Sequence, residues 1–167
     1  MRVEETKLYK YSELSEDAQE KAREWFREGG VDYEWWDSVY DDAENIGLKI
    51  TSFDLDRNRH AEGKFILSAT EIAANIIRDH GETCETYKTA QDFLDEINSL
   101  SMPEDDSDEF PEWEDKMLEL EDEFKKSLLE DYSIILQHEI EYLNSDEAIS
   151  ETIQANEYEF TDKGRIF

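Results

Sequence analysis

The feature that most restricts the fold is an apolar stripe at helical spacing near the C-terminal end of the chain. A helix from Glu112 to about Leu143 would contain about 32 residues and measure about 48 Å at 1.5 Å per residue. Helices in globular domains average about 11–12 residues, so part of this helix is expected to leave the body or to pair with another chain. The apolar positions recur every three or four residues: Trp113, Met117, Leu120, Phe124, Leu128, Tyr132 and Ile135.

Acidic side chains occupy the opposite face of the first half of this helix. Residues 103–124 contain twelve acidic side chains and one lysine, Lys116. On a helical wheel four of the acids fall within about 80° of one another, away from the apolar stripe. Steps of three or four residues separate them by about 4.5–6 Å along the axis, which is close to the spacing of phosphates in a nucleic-acid strand. We call these four the acidic ridge: Glu112, Asp115, Glu119 and Asp122.

The charge of the whole chain restricts its partners. There are 46 acidic and 17 basic residues among 167, for a net charge of −29, yet 38% of the residues are hydrophobic and 12% aromatic. That apolar content predicts a folded protein rather than a disordered one. Solubility of a small domain needs a net charge of only about 2–8. Anionic lipid and bare nucleic acid would repel such a chain, so we expect basic partners.

A second acidic segment precedes residue 48. No basic residue lies between Val31 and Leu48, and a helix is predicted over 33–46. Asp32 adds to this segment, and Trp35 is the tryptophan expected to be exposed, as an interface anchor. The acids chosen here as partner-binding candidates are Asp37, Asp41 and Asp42.

The rest of the pattern predicts an α+β fold in which helices dominate and cover a small, mostly antiparallel sheet. A change of phase in residues 48–56 indicates a β-bulge. One domain is expected over 1–167, with an α+β core at 1–102, an acidic linker at 103–111 and the long helix, a short helix and a C-terminal hairpin at 112–167. The predicted strands are one at 7–11, a hairpin of 48–56 with 64–68, and two short strands around 162–164. Besides those already named, the predicted helices cover 16–28, capped by Ser15, 70–80, Thr89 to about 100, and Asn144 or Ser145 to 156.

One segment partly matches a calcium-binding loop. Asp54, Asp56 and Asn58 have the D-x-D-x-N spacing, but Arg59 replaces the required glycine and Phe65 the closing glutamate. We therefore expect no metal, and instead a hairpin in which Asp54 and Asp56 pair with Arg57 and Arg59 across the strands.

Nucleophilic chemistry has little support in the sequence. His80 and Cys84 lie four residues apart, but Gly81 interrupts the helix between them, and His60, His80 and His138 are too dispersed for zinc. A single cysteine excludes an internal disulfide and fits a reducing cytosol. With no signal-peptide pattern at the N-terminus, no cofactor motif and no catalytic signature, the sequence predicts a non-enzymatic cytoplasmic protein.

Four short motifs carry a family resemblance: DYEWW at 32–36, ITSFDLDR at 50–57, HGETCETY at 80–87 and ANEYEFT at 155–161. Through them the chain resembles a family of small acidic proteins of bacteriophages and mobile elements that has no assigned activity. The resemblance extends over nearly the whole length and implies a phage context, in which several unrelated acidic proteins inhibit host defence complexes by imitating nucleic acid.

Three hypotheses follow. The first is a phage-encoded interaction protein of the host cytosol that binds a basic nucleic-acid-binding surface of a host protein, as a nucleic-acid mimic or anti-defence inhibitor. The second is an adaptor or assembly protein whose long helix pairs with itself, in a homodimer, or with another helix, and whose acidity only serves solubility. The third is a metal-dependent hydrolase that uses Asp54 and Asp56.

Overall fold

The computed structural model describes residues 1–31, 33–104 and 107–167. It has an α+β fold that is 59% helical, which confirms the predicted fold class and the predicted long helix. The elements are β1 (Tyr9–Lys10), α1 (Glu16–Gly29), α2 (Asp37–Ile46), β2 (Leu48–Asp54), β3 (His60–Phe65), α3 (Ala69–Asp79), α4 (Glu85–Asn98), α5 (Phe110–Leu143), α6 (Asp146–Ala155) and β4 (Glu159–Phe160).

Serine side chains fix the starts of three helices. The Ser15, Ser68 and Ser145 hydroxyls accept hydrogen bonds from backbone N–H groups three residues later, so each satisfies a donor that the first turn leaves unpaired. The predicted cap at Ser15 is confirmed, and of Asn144 and Ser145, the two residues predicted to start the last helix, Ser145 is the cap. Thr89 is not a cap, because α4 begins at Glu85. Likewise, α2 begins at Asp37, four residues later than predicted.

The hairpin of β2 and β3 contains the predicted bulge. Ile50 pairs with Gly63 and Ser52 with Glu62, so the register shifts at Thr51. The second strand was placed wrongly, since β3 covers 60–65 rather than 64–68. Its residues looked like a polar loop because only one face of this antiparallel pair is covered: Ala61 is buried and Glu62 is exposed.

The ion pairs expected within this hairpin are replaced by other contacts. Arg59 Nη2 donates to Glu130 Oε1 of α5 at 2.7 Å. Asp54 Oδ1 accepts a hydrogen bond from the backbone N–H of Asp56 at 2.9 Å. The arginine therefore ties the loop to α5 instead of pairing across the strands.

The chain divides into two compact units. The terminal unit comprises residues 1–35 and 138–167, and the central unit comprises residues 36–137. In the terminal unit β1 pairs with β4 in antiparallel register, with Tyr9 opposite Phe160. The predicted C-terminal hairpin is reduced to a single bridge between Phe160 and Ile166. The core of this unit consists of Tyr11, Leu14, Ala18, Ala22, Ile149, Ile153 and Phe160.

Aromatic stacking organises the core of the central unit. The rings of Phe93 and Phe124 lie parallel with centroids 4.4 Å apart, and Phe65 packs against Phe124 at 5.7 Å. This contact joins α4, α5 and β3. On α5, Leu120, Phe124, Leu128 and Tyr132 are buried as predicted, whereas Ile135 is exposed and Leu136 is buried in its place.

The predicted linker is shorter than expected at its C-terminal end. Phe110 and Pro111 belong to α5, while Asp105 and Asp106, like Asp32, lie outside the described residues. Within the described ranges, no helix has the length and apolar character needed to cross a membrane.

Candidate interaction surface

The acidic ridge is exposed along the first half of α5. Glu112, Asp115, Glu119 and Asp122 are all exposed, whereas Leu120 and Phe124 on the same helix are buried. A helix presents one face to its core and the other to solvent when apolar and charged residues alternate at a period of 3.6. The four carboxylates therefore point away from the core of the central unit, on a segment that the Phe93–Phe124 stack anchors.

Two of the four ridge carboxylates have lysine neighbours. Lys116 Nζ lies 3.8 Å from Glu119 Oε2, and Lys126 Nζ lies 3.0 Å from Asp122 Oδ2. Both pairs join exposed residues one turn apart, and such pairs contribute only about 0–1 kcal/mol. A charged partner can therefore displace these lysines at low cost. In the described part of the chain Glu112 and Asp115 form no ion pair.

The three candidate acids of α2 are all exposed, but one of them also has tertiary contacts. Asp37, Asp41 and Asp42 are exposed. The Asp42 carboxylate in addition accepts a hydrogen bond from Tyr132 Oη at 2.9 Å and lies 3.5 Å from His80 Nε2. The His80 imidazole and the Tyr132 hydroxyl hold the pKa of Asp42 below its usual value, against the opposing effect of burial. Asp42 thus stabilises the central unit through these contacts.

Trp35 is not set apart from the other tryptophans by its exposure. It is half-buried, as are Trp25, Trp36 and Trp113, and its backbone N–H donates to Tyr33 O at 2.8 Å. Trp36 packs edge-on against Phe53, with centroids 5.8 Å apart. The expectation of one exposed tryptophan was therefore wrong.

A polar cluster in the central unit was missed by the sequence analysis. The Thr86 hydroxyl lies 2.6 Å from His80 Nδ1, so His80 connects Thr86 to Asp42. A hydroxyl, an imidazole and a carboxylate are the groups of a hydrolytic triad, but Thr86 is only 2% exposed, and a substrate could not reach it. Asp42 lies in α2, His80 directly follows α3 and Thr86 lies in α4, so no sequence spacing announced the cluster.

A second acidic side chain, Asp131 of α5, has a pKa that is shifted in the opposite direction to that of Asp42. Asp131 Oδ2 accepts a hydrogen bond from the Thr89 hydroxyl at 2.5 Å. Burial raises the pKa of Asp131, and the hydrogen bond from Thr89 only partly opposes this effect. Thr89, predicted to begin α4, therefore serves as a tertiary contact between α4 and α5.

Comparison with known proteins does not extend this description. No protein-family model, curated protein or solved structure matches the chain. Nor do the described residues contain a group of three or more histidine, cysteine or acidic side chains arranged to hold a metal ion. The surface is therefore interpreted from its own residues.

Apolar residues do not form a second stripe on the exposed side of α5. Of the large apolar residues of α5 in the central unit, the exposed ones are Leu118, at 59% exposure, and Ile135, at 37%. A coiled-coil seam needs apolar residues every three or four positions, and these two are seventeen apart. The exposed apolar residues of this part of α5 therefore do not have the spacing of such a seam.

We expect replacement of Tyr132 by phenylalanine to reduce stability by about 1 kcal/mol at neutral pH. The variant keeps the ring in the core but removes the donor to a charged acceptor, and such bonds contribute about 1.5–3 kcal/mol before allowing for the half-exposed Asp42. The free energy of unfolding in urea at pH 7 measures this loss. Tyr142→Phe, on the exposed end of the same helix, is the matched control and should change little.

The effect of Tyr132→Phe should depend on pH in a defined direction. Because the folded pKa of Asp42 is lowered, its stabilising contribution is present above the unfolded value of about 3.9 and is lost as the pH falls through the folded pKa. The difference between wild type and variant should therefore shrink below about pH 4. A difference that stays constant between pH 3 and pH 7 would contradict the assigned hydrogen bond.

Proposed function

We propose that this chain is a non-enzymatic interaction protein that binds a basic, nucleic-acid-binding surface of a host protein. The observation that carries the proposal is the acidic ridge, which is exposed in its entirety on one helix. Its carboxylates lie about 4.5–6 Å apart along the axis, so it offers a row of anions to a groove that otherwise holds a phosphate backbone. The protein would compete with nucleic acid for that groove.

The rigidity of the support favours a mimic over a merely soluble surface. A flexible acidic segment must be ordered when it binds, which costs affinity. Here the ridge belongs to a helix whose other face packs Phe124 against Phe93 and Phe65. The carboxylates are therefore held in place before the partner arrives.

The net charge of −29 acts at longer range than the ridge. Complementary charge raises the association rate, and salt screens this effect beyond about 8–10 Å. Asp37 and Asp41 on α2 add exposed carboxylates without neighbouring basic residues in sequence. We expect fast association at low salt and slower association as the ionic strength rises.

The family resemblance supplies the biological setting of the proposal. A phage-encoded protein in the host cytosol would meet the host's nucleic-acid-binding defence complexes, whose basic grooves are suitable partners. Occupying such a groove would inhibit the complex without any chemical step. This setting rests on the four sequence motifs, whereas the binding mode rests on the ridge.

A quadruple charge reversal tests the ridge. The variant carries Glu112→Lys, Asp115→Lys, Glu119→Lys and Asp122→Lys, and we expect its affinity for the partner to fall at least about 100-fold, because like charges then face each other across the interface. The partner is obtained by affinity capture from bacterial lysate at low salt. Its binding to labelled duplex DNA is then followed by fluorescence anisotropy with and without the chain.

A control variant of equal net charge separates the ridge from charge in general. It replaces four exposed acids of the terminal unit by lysine and should still displace DNA from the partner. Displacement of DNA by both variants, or capture that is insensitive to salt, would exclude the ridge as the binding site. The four control positions are Glu5, Glu24, Glu151 and Asp162.

A further inference from the structure

The terminal unit contains an open cavity of about 610 Å³ that lies apart from the acidic ridge in sequence. Trp25 is fixed in its wall by edge-on contacts to Tyr158, at a centroid distance of 5.5 Å, and to Phe160, at 6.2 Å. The faces of aromatic rings carry partial negative charge and attract cations. The aromatic residues that line the cavity are Trp25, Phe26, Tyr33 and Tyr158.

Two helices end at this cavity. Glu28, Gly29 and Gly30 line it at the end of α1, and Thr152 and Asn156 line it at the end of α6. The carbonyl groups at a helix C-terminus are equivalent to about half a negative charge. Two such termini at the cavity favour a cation over an anion as its ligand.

The basic side chains at these two helix ends already have partners. Arg27 is the basic residue in the last turn of α1, and its guanidinium donates to Asn144 O at 3.1 Å and to the Asp146 carboxylate. The last turn of α6 contains no basic residue. The charge of Arg27 is thus compensated by Asp146, and that of Lys10, whose Nζ donates to the Glu157 carbonyl just past α6 at 3.2 Å, is compensated by Glu159.

Glu28 adds a full negative charge to the cavity wall. Its side chain is exposed, and among the described residues it has no ion-pair or hydrogen-bond partner. A carboxylate beside aromatic faces is suited to a cation with an apolar body, because the charge meets Glu28 while the rest of the group packs on the rings.

We propose that this cavity binds an arginine side chain of the basic partner, an inference that rests on the proposed function for the source of the arginine. Guanidinium is planar, remains charged, stacks on aromatic faces and is less strongly hydrated than ammonium. The stem of the side chain packs against Phe26 and Trp25 while its head lies between Glu28 and the two helix ends. The volume exceeds that of one guanidinium and leaves room for the adjoining peptide backbone.

A short peptide tests the cavity without the unknown partner. Acetyl-Gly-Arg-Gly-amide is titrated into the ¹⁵N-labelled protein, and the indole N–H resonance of Trp25 is followed after assignment with Trp25→Phe. The same peptide with citrulline keeps the shape and removes the charge. We expect the arginine peptide to shift the Trp25 resonance in a saturable manner and the citrulline peptide to shift it much less.

Two variants should weaken this response and one should preserve it. Glu28→Gln and Tyr33→Ala alter exposed groups of the cavity, and each should raise the dissociation constant at least about threefold. Glu24→Gln removes the same charge one turn earlier on α1, outside the lining, and should leave the constant unchanged. The fold of each variant is checked by its circular dichroism spectrum.

The outcomes distinguish this site from the acidic ridge. The quadruple ridge variant should bind the arginine peptide as the wild type does, so a failure of the ridge experiment leaves this test intact. Equal responses to arginine and citrulline peptides, no response at 10 mM peptide, or equal effects of Glu24→Gln and Glu28→Gln would each overturn the assignment.

Discussion

Replacement of Phe124 by alanine should destabilise the central unit by about 3–5 kcal/mol, a usual cost for removing a buried aromatic ring. The ring is 3% exposed, stacks on Phe93 and packs against Phe65. Its loss would leave a void shared by α4, α5 and β3. The free energy of unfolding, measured with urea and followed by circular dichroism, gives the size of the effect.

Two further substitutions define the origin of this loss. Phe124→Leu retains most of the volume and should recover much of the stability, lacking mainly the aromatic contact, which contributes about 0.5–1.5 kcal/mol. Leu118→Ala, on the exposed side of the same helix, should change stability by less than about 0.5 kcal/mol. If Leu118→Ala and Phe124→Ala were equally destabilising, the orientation of α5 would be wrong.

Replacement of Gly164 by alanine should destabilise the terminal unit by about 2–4 kcal/mol. Gly164 has φ of +81°, and an added Cβ would collide with the backbone carbonyl of Ala18 in α1. The strain and the collision act together because the chain turns here against α1, with the Gly164 N–H donating to Thr161 O. Thermal unfolding and hydrogen exchange of α1 amides would report the loss.

Two other glycines of the terminal unit provide graded controls. Gly30 has φ of +66° and ψ of −179°, a conformation that is essentially restricted to glycine, but open space around it, so alanine there should cost about 1–3 kcal/mol through backbone strain alone. Gly29 lies within α1, and its added Cβ would have no neighbour within 4 Å. Alanine at Gly29 should be neutral or stabilising by up to about 1 kcal/mol. Equal losses at the three positions would contradict the described backbone.

The sequence predicted best what depends on local pattern. The phase change in 48–56 predicted the β-bulge that the structure has at Thr51, and Ser15 identified the start of α1. The exposed ridge followed from the period of α5 in the same way. These features depend on residues within one or two turns or strand pairs, which sequence spacing describes directly.

The errors arose where distant residues decide the structure. Helix α4 begins before Thr89 because Thr86 is buried against His80 and Ala90 continues the apolar stripe. The buried face of α5 includes Leu136 in place of the predicted Ile135. Leu129 is also buried, near Gly63 of β3. Neither shift can be read from the helix itself, because another element supplies the covering surface.

The same dependence on distant residues explains why the three candidate acids of α2 differ in their contacts. Asp37, Asp41 and Asp42 looked equivalent in sequence, but the contacts of Asp42 with Tyr132 and His80 separate it from the other two. The aromatic cavity of the terminal unit combines residues from both ends of the chain. No spacing along the sequence could have brought Trp25 to Tyr158.

The pairing of β1 with β4 has a consequence for the order of folding during synthesis. Residues 36–137 form one continuous segment and can collapse as they emerge from the ribosome. Tyr9 and Lys10 of β1 pair with Phe160 and Glu159 of β4, which are translated only after this whole segment. β1 therefore stays without its partner strand until the central unit has been synthesised, so the terminal unit completes its fold after the central one.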